Sequence, residues 1–315
     1  MKRDPVTDVF RGLAVVLMIF VSALYLLSHD VPFPMLHNQG NDFLFFDLVA
    51  PMFQFVLGMS LFFIVQNKLP LVGRDGVTWD VLRRCFVLFL LGFVLDSVSY
   101  LDAMPWGVLQ SLGLSGVIVF LISSRSNLEK ILFSAFILLA YSLLYYNPLF
   151  SSLISMPHGG PIGAISYSII SILGFMSAEV MHKRRSDKGF LEFLVKTALS
   201  LLVLGAIVGL FIPYSKIHVS PSFTLAASGL VMILFSVIFL LHKYLGNYLG
   251  FLKEFGRTAL TMWVLQYIFG WIFLFVLHKK QFLDFTSGLL VSVGVVILMY
   301  FIALALNKLN IRISP

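Results

Sequence analysis

The chain has 315 residues, of which 59% are hydrophobic and only 12% charged, with a mean hydropathy of +0.96. A soluble domain carries about 25% charged residues, so a water-soluble globular enzyme is excluded, and a disordered chain with it. A single cysteine, Cys85, excludes a disulfide framework and a Cys-based metal cluster, and the net charge of +7 is spread over short loops rather than gathered into a nucleic-acid-binding patch.

A helical crossing needs about 20 apolar residues. The chain supplies ten such spans, at 8–28, 43–66, 80–98, 106–123, 130–147, 160–181, 191–212, 222–243, 258–278 and 283–306. The runs are continuous and lack the period-two alternation of a membrane barrel, so helices are predicted. The expected fold is all-α: a polytopic membrane bundle of about ten helices in one domain, 1–315.

The first span opens with Asp8 and Arg11, three apart and able to pair on one helix face, and holds Ser22 in its outer part. A basic start gives it the look of a signal peptide, but His29, Asp30 and a Pro-bearing loop follow instead of a small-residue cleavage site, so it reads as a retained helix. The loop after it carries His37, Asn38, Gln39, Gly40, Asn41 and Asp42 and enters the second span toward Asp47. A neutral imidazole near a carboxylate is a usable general base near pH 7. Metal binding is the rival use of such a histidine, but there is no helical His pair spaced by three or four and no His-x-x-Glu cluster, so no metal is expected.

The second, third and fourth spans add Asp47, Asp96 and Gln110, each near an outer end. Ionisable groups inside spans are expensive and mark sites by default; helix–helix bonding is the bland explanation. Gly58 in the second span, with Gly113 and Gly116 in the fourth, signals close packing rather than chemistry. The sixth span ends in Glu179, His182, Lys183, Arg184 and Arg185, a topology signal or else a contact for an anionic ligand. The short loop Pro213–Pro221 holds Lys216 and His218. Lys216 suits a hydroxylated or anionic substrate or a developing oxyanion, with headgroup anchoring as the alternative. Lys279 and Lys280 read as interfacial anchors.

Of 22 Lys and Arg, 19 fall in 1–11, 67–85, 123–130, 182–196, 242–257 and 307–315, alternating with loops nearly free of them. The positive-inside rule then places both termini in the cytoplasm. The other loops are too short to fold alone, so any chemistry sits in the bundle or at its mouths. No internal repeat supports an inverted-repeat transporter.

The run from Asp8 to Ser22, His37 with Asp47 ten residues on, and the run from Asp47 to Ser60 together resemble the heparan-α-glucosaminide N-acetyltransferase family of membrane acetyltransferases. Weaker segments follow in the same order: Gly107 to Gln110, the Pro157-x-Gly159-Gly160-x-Ile162-Gly163 loop, Ile212-Pro213-x-x-Lys216 with Ser220 and Ser222, and Gly256 to Thr261. The resemblance implies a ten-helix catalytic bundle that takes acetyl from cytoplasmic acetyl-CoA to an amino sugar on the far side of the cell membrane. It makes His37 the catalytic residue and puts Asp47 in the same motif; a homodimer is also implied. The chain departs from the pattern at Ser22, where the family usually has Asn, and at Ser111, where it usually has Arg. The large luminal domain of the animal enzymes is not expected. These differences bear on the acceptor more than on the reaction class.

Acyl transfer needs a base for the acceptor and donors for the tetrahedral oxyanion. His37 and Asp47 are the expected base and its orienting partner. Ser22, Gln110 and Lys216 are the candidate substrate-binding donors. Arg11, Arg83 and Arg84 are the candidate phosphate contacts for acetyl-CoA at the cytoplasmic end. An acetyl-histidine intermediate and direct transfer in a ternary complex both fit the sequence. The rival function is a proton-coupled transporter or flippase using Asp47 and Asp96, which gains little from a histidine in an outer loop.

Overall fold

The computed structural model describes residues 4–35, 43–100, 106–150, 154–183, 186–246, 248–276, 282–311 and 313. They form α1 (Pro5–Leu27), α2 (Val49–Tyr100), α3 (Val108–Ile122), α4 (Asn127–Tyr145), α5 (Gly160–Lys183), α6 (Asp187–Gly209), α7 (Pro221–Leu245), α8 (Gly250–Arg257), α9 (Ala259–Trp271) and α10 (Phe285–Lys308). Among the described residues the sole strand-like pairing is a bridge between Ser28 and Leu283.

Local chemistry starts these helices where polar residues precede apolar runs. Asp4 accepts from Thr7 N (2.7 Å) ahead of Pro5, and Ser126 and Glu129 form a reciprocal capping box. Ser186, Ser220 and Asp284 cap α6, α7 and α10. Each cap satisfies N–H groups that have no partner within the helix, which matters most where no water can substitute.

The long α2 corrects one expectation. The segment 67–79, expected to be a loop, is helical apart from Gly73, whose φ of 67° and ψ of −178° break the run three residues after Pro70. Glycine takes a positive φ without a Cβ clash. The two arms fold back on each other: Lys68 pairs with Asp80, and both Leu57 and Cys85 lie against Gly116 of α3. Among the described residues seven helices are long and apolar enough to cross a membrane, α2 among them, and α3 and α9 are shorter apolar helices. Counted with its arms separate, α2 brings the total to the ten apolar segments read from the sequence.

Burial sorts the bundle into two layers. More than half of the most apolar window is buried in α1, α2, α5 and α7, but under a quarter in α4, α6 and α10. The first set is the core; the second presents Leu, Ile, Val and Phe outward, as lipid-facing helices do. Phe10, Phe55 and Phe235 meet at the centre with ring centroids 5.2–6.2 Å apart. Glycines permit the tightest crossings. A Cβ on Gly12 would lie 1.8 Å from Leu252 O, one on Gly256 1.9 Å from Asp8 O, and one on Gly58 1.8 Å from Ser171 O. The short α8, not expected from the sequence, is locked onto α1 this way. Asp4 and Ile313, the described residues nearest the two termini, line the same cavity and so lie at one end of the bundle.

Candidate active site

At the end away from the termini, a 3₁₀ turn at Phe45–Leu48 delivers Asp47 to the head of α2. Asp47 is fully buried. Its Oδ2 accepts from Leu44 N (3.0 Å), and its Oδ1 lies 3.3 Å from Lys216 Nζ. Lys216 comes from the loop between α6 and α7, and only 14% of its side chain is exposed. Burial pushes the Lys216 pKa down, and the Asp47 carboxylate pulls it back up.

That loop is held in place by several bonds. Ser215 N donates to Ser220 Oγ (3.0 Å), Ser222 Oγ to Pro213 O (3.1 Å), Gly159 N to Ile217 O (2.6 Å), and the Tyr141 hydroxyl to His218 O. Where the two loops cross, His158 (φ 56°) and Val219 (φ 50°) sit in the left-handed region. For non-glycine residues that costs about 1–3 kcal/mol each and is a feature of functional sites. A Cβ on Gly159 would lie 2.7 Å from His218 O, so the crossing demands glycine there. Two imidazoles join the cluster: His218 Nδ1 is 3.3 Å from Ser215 Oγ and 3.5 Å from the Tyr145 hydroxyl, and His158 Nδ1 is 3.5 Å from the hydroxyl of fully buried Tyr167. Burial lowers the His218 pKa, which favours the neutral ring.

A second buried network ties α2, α3 and α9 together. Asp96 accepts from the Tyr267 hydroxyl (2.6 Å) and from Gln110 Nε2 (2.9 Å), while Gln110 Oε1 accepts from Gly107 N (3.1 Å). The Gln110 amide, expected to meet substrate, therefore holds the N-terminus of α3 to α2. Ser22, another of the expected donors, is exposed on α1. His37 lies outside the described residues, as do Arg184, Arg185, Lys279 and Lys280.

The end carrying the termini holds a cavity of about 320 Å³ lined by Arg11, Arg84, Arg257, Ser60, Phe53 and Cys85, among others. Arg11 is the hub of its wall. It donates to Asp8 (2.7 Å), the pairing expected from their spacing, and also to Ser60 Oγ (2.8 Å) on α2 and Gly256 O (3.2 Å) on α8. Of the three arginines expected to meet phosphate, Arg11 and Arg84 line this cavity. Arg83 is exposed, faces Asp80 at 3.8 Å, and does not line it. Glu179 is engaged by Lys130 (3.0 Å) and Lys183 (2.5 Å).

Sequence reasoning missed Arg257, Tyr141, Tyr167 and Tyr267. A tyrosine in an apolar span carries no charge signal, and Arg257 entered only within the Gly256–Thr261 segment of the resemblance and the count of basic loop residues, with no role. The phase of Tyr267 on its helix relative to Ala259, Leu260 and Trp263 was the one available clue.

A family model described as heparan-alpha-glucosaminide N-acetyltransferase, catalytic, matches residues 3–181. The curated heparan-alpha-glucosaminide N-acetyltransferase of Mus musculus is 34% identical over 126 residues, and that of Homo sapiens 32% identical over 126 residues. Each match covers 36% of this chain and 18% of the relative, so the chain matches under a fifth of the curated relatives' length. The family match takes in Arg11, His37, Asp47, Arg83, Arg84 and Gln110; Lys216 and Arg257 lie beyond it.

Proposed function

We propose a function from one premise: the chain belongs to the heparan-α-glucosaminide N-acetyltransferase catalytic family. The reading is a membrane-embedded, single-domain acetyltransferase. It moves acetyl from acetyl-CoA, bound from the basic end, to an amino sugar at the opposite end. The basic end faces the cytoplasm, in keeping with the distribution of Lys and Arg. The cell membrane is the expected location.

The observation that carries this reading is the alignment of two features along one helix arm. The arm from Val49 to Gly73 begins beside the buried Asp47–Lys216 pair and ends in the walls of the arginine-lined cavity. Phe53, on the cavity wall, is six residues from Asp47, a rise of about 9 Å. A polyanionic donor suits the arginines, and its flexible arm has that short distance to cover. A charged residue buried at the far end needs a functional or structural reason, and activation of an acceptor supplies one.

The proposed roles follow from the chemistry. His37 removes the acceptor's proton. Asp47, fixed by Leu44 N and Lys216, orients that base. Lys216 stabilises the developing oxyanion. Arg11, Arg84 and Arg257 hold the donor's phosphates. Replacing His37 by Ala is expected to lower turnover by about 10²–10⁴. The test is labelled acetyl-CoA added to inverted membrane vesicles with amino sugars trapped inside. Label on the trapped sugar supports reaction class and sidedness together. Label that stays on CoA or appears only on outside sugar sinks the reading.

A further inference from the structure

Two polar atoms on one face of α9 are buried and have no hydrogen-bond partner among the described residues: Trp263 Nε1, a donor, and Gln266 Oε1, an acceptor. Ala259, Leu260, Trp263, Gln266 and Tyr267 follow the spacing of a single helical stripe. Its first two members line the arginine-bearing cavity, and its last donates to Asp96 toward the other end of the bundle. Trp263 is 7% exposed and packs edge-on against Phe53, also a cavity-wall residue, with ring centroids 4.9 Å apart. Trp263 thus stands behind Phe53, just outside the cavity wall, and Gln266 follows one helical turn further along α9.

A folded protein rarely leaves a buried donor and a buried acceptor unmatched without a reason. A satisfied alternative is cheap for evolution: Phe at 263 and Leu or Met at 266 keep the apolar volume. A charged ligand fits poorly, because these atoms are neutral and sit among apolar rings. A neutral ligand with both an amide carbonyl and an amide N–H fits well. The arm of coenzyme A is such a group: a flexible chain with two secondary amides between the pyrophosphate and the sulfur.

We propose that Trp263 and Gln266 recognise the amide-bearing arm of the acyl donor, the indole N–H donating to an amide oxygen and Gln266 Oε1 accepting from an amide N–H. The inference rests on the donor reading above and sharpens it. Binding of the arm parts the Phe53–Trp263 contact and threads the thioester along the α9 stripe toward Asp96 and Tyr267. Both residues lie beyond the stretch matched by the family model, so that match does not bear on them.

The test uses the purified full chain in detergent and two ligands: coenzyme A, and adenosine 3′,5′-bisphosphate, which keeps two of its three phosphates and lacks the arm. Affinities are measured by titration calorimetry for the wild type, Trp263→Phe and Gln266→Met. Each variant is expected to weaken coenzyme A about three- to tenfold, the value of one neutral hydrogen bond, and to leave the bisphosphate unchanged. Wild-type affinity for coenzyme A in both variants overturns the inference and leaves the donor reading standing. Equal weakening of both ligands also overturns it, since that marks a general loosening of the cavity. A wild type that binds neither ligand rejects the donor reading itself.

Discussion

Asp47 holds a backbone N–H with one oxygen and an ammonium with the other, and it is fully buried. Removing one partner of a buried pair typically costs about 3–5 kcal/mol, while replacing both with neutral groups is often tolerated. Asp47→Asn is therefore expected to lower thermal stability in detergent markedly, and Asp47→Asn with Lys216→Met to recover most of it. If the pair also serves chemistry, the double variant stays inactive despite its restored fold. Recovery of activity along with stability would reduce the pair to a brace. His218 gives a pH prediction. Its pKa is lowered in the folded state by burial, so below its ordinary value near 6.5 the unfolded chain binds more protons than the native one. Stability from this residue is intact above that pH and falls as pH drops through it. His218→Gln is expected to flatten the acid side of a stability–pH curve between about pH 7 and 5; an unchanged slope rejects the assignment.

The helices depend on contacts finer than their hydropathy. The α1–α8 crossing brings Gly12 and Gly256 against carbonyl oxygens of the facing helix, and Arg11 bonds Gly256 O across it. A methyl group at either glycine must push the helices apart. Overpacking of this sort costs about 1–3 kcal/mol. Gly256→Ala is expected to lower the melting temperature and, by shifting Arg11, to weaken donor binding. Gly250→Ala, where a Cβ meets nothing within 4 Å, is the control and is expected to change neither. Gly58, Gly113 and Gly116 have the same packing role expected from the sequence, each with a neighbouring helix within 3 Å of a would-be Cβ. The break at Gly73 serves a different end: it turns one continuous helix into a hairpin whose arms wall the cavity from two sides.

Across the whole molecule, charge is sorted by end, and each end has a distinct task in the proposed reaction. The cavity at the end with the termini gathers arginines from α1, α2 and α8, elements far apart in sequence. Arg84→Gln is expected to raise the KM for acetyl-CoA about tenfold with little effect on the acceptor, the scale of one charge-assisted hydrogen bond. Arg83→Gln, one residue away but exposed and facing Asp80, is expected to leave donor KM near the wild-type value. Equal effects from both would reduce the cavity to a region of general positive potential.

Ten apolar segments, their helical character and the alternation of basic loops were legible in the chain, because a bilayer enforces length, internal hydrogen bonding and charge asymmetry one segment at a time. The Asp8–Arg11 pair was legible for a similar reason, since a spacing of three is a local property of a helix. The special standing of Asp47 was visible as a charge where none is cheap. Its partner was not: Lys216 is 169 positions away, in the loop between α6 and α7, and only the tertiary fold brings that loop to the head of α2. Arg83 and Arg84 are equivalent as sequence, yet their side chains diverge by about 100° around the helix, so only packing decides that one lines the cavity and the other meets solvent. Gln110 likewise read as a candidate donor to substrate, and its bond to Asp96 exists only once α2 and α3 pack together. Spans and polarity are written locally along the chain. Which polar groups meet depends on the rotation of each helix about its axis, and that is settled only when glycine-sized contacts bring the helices together.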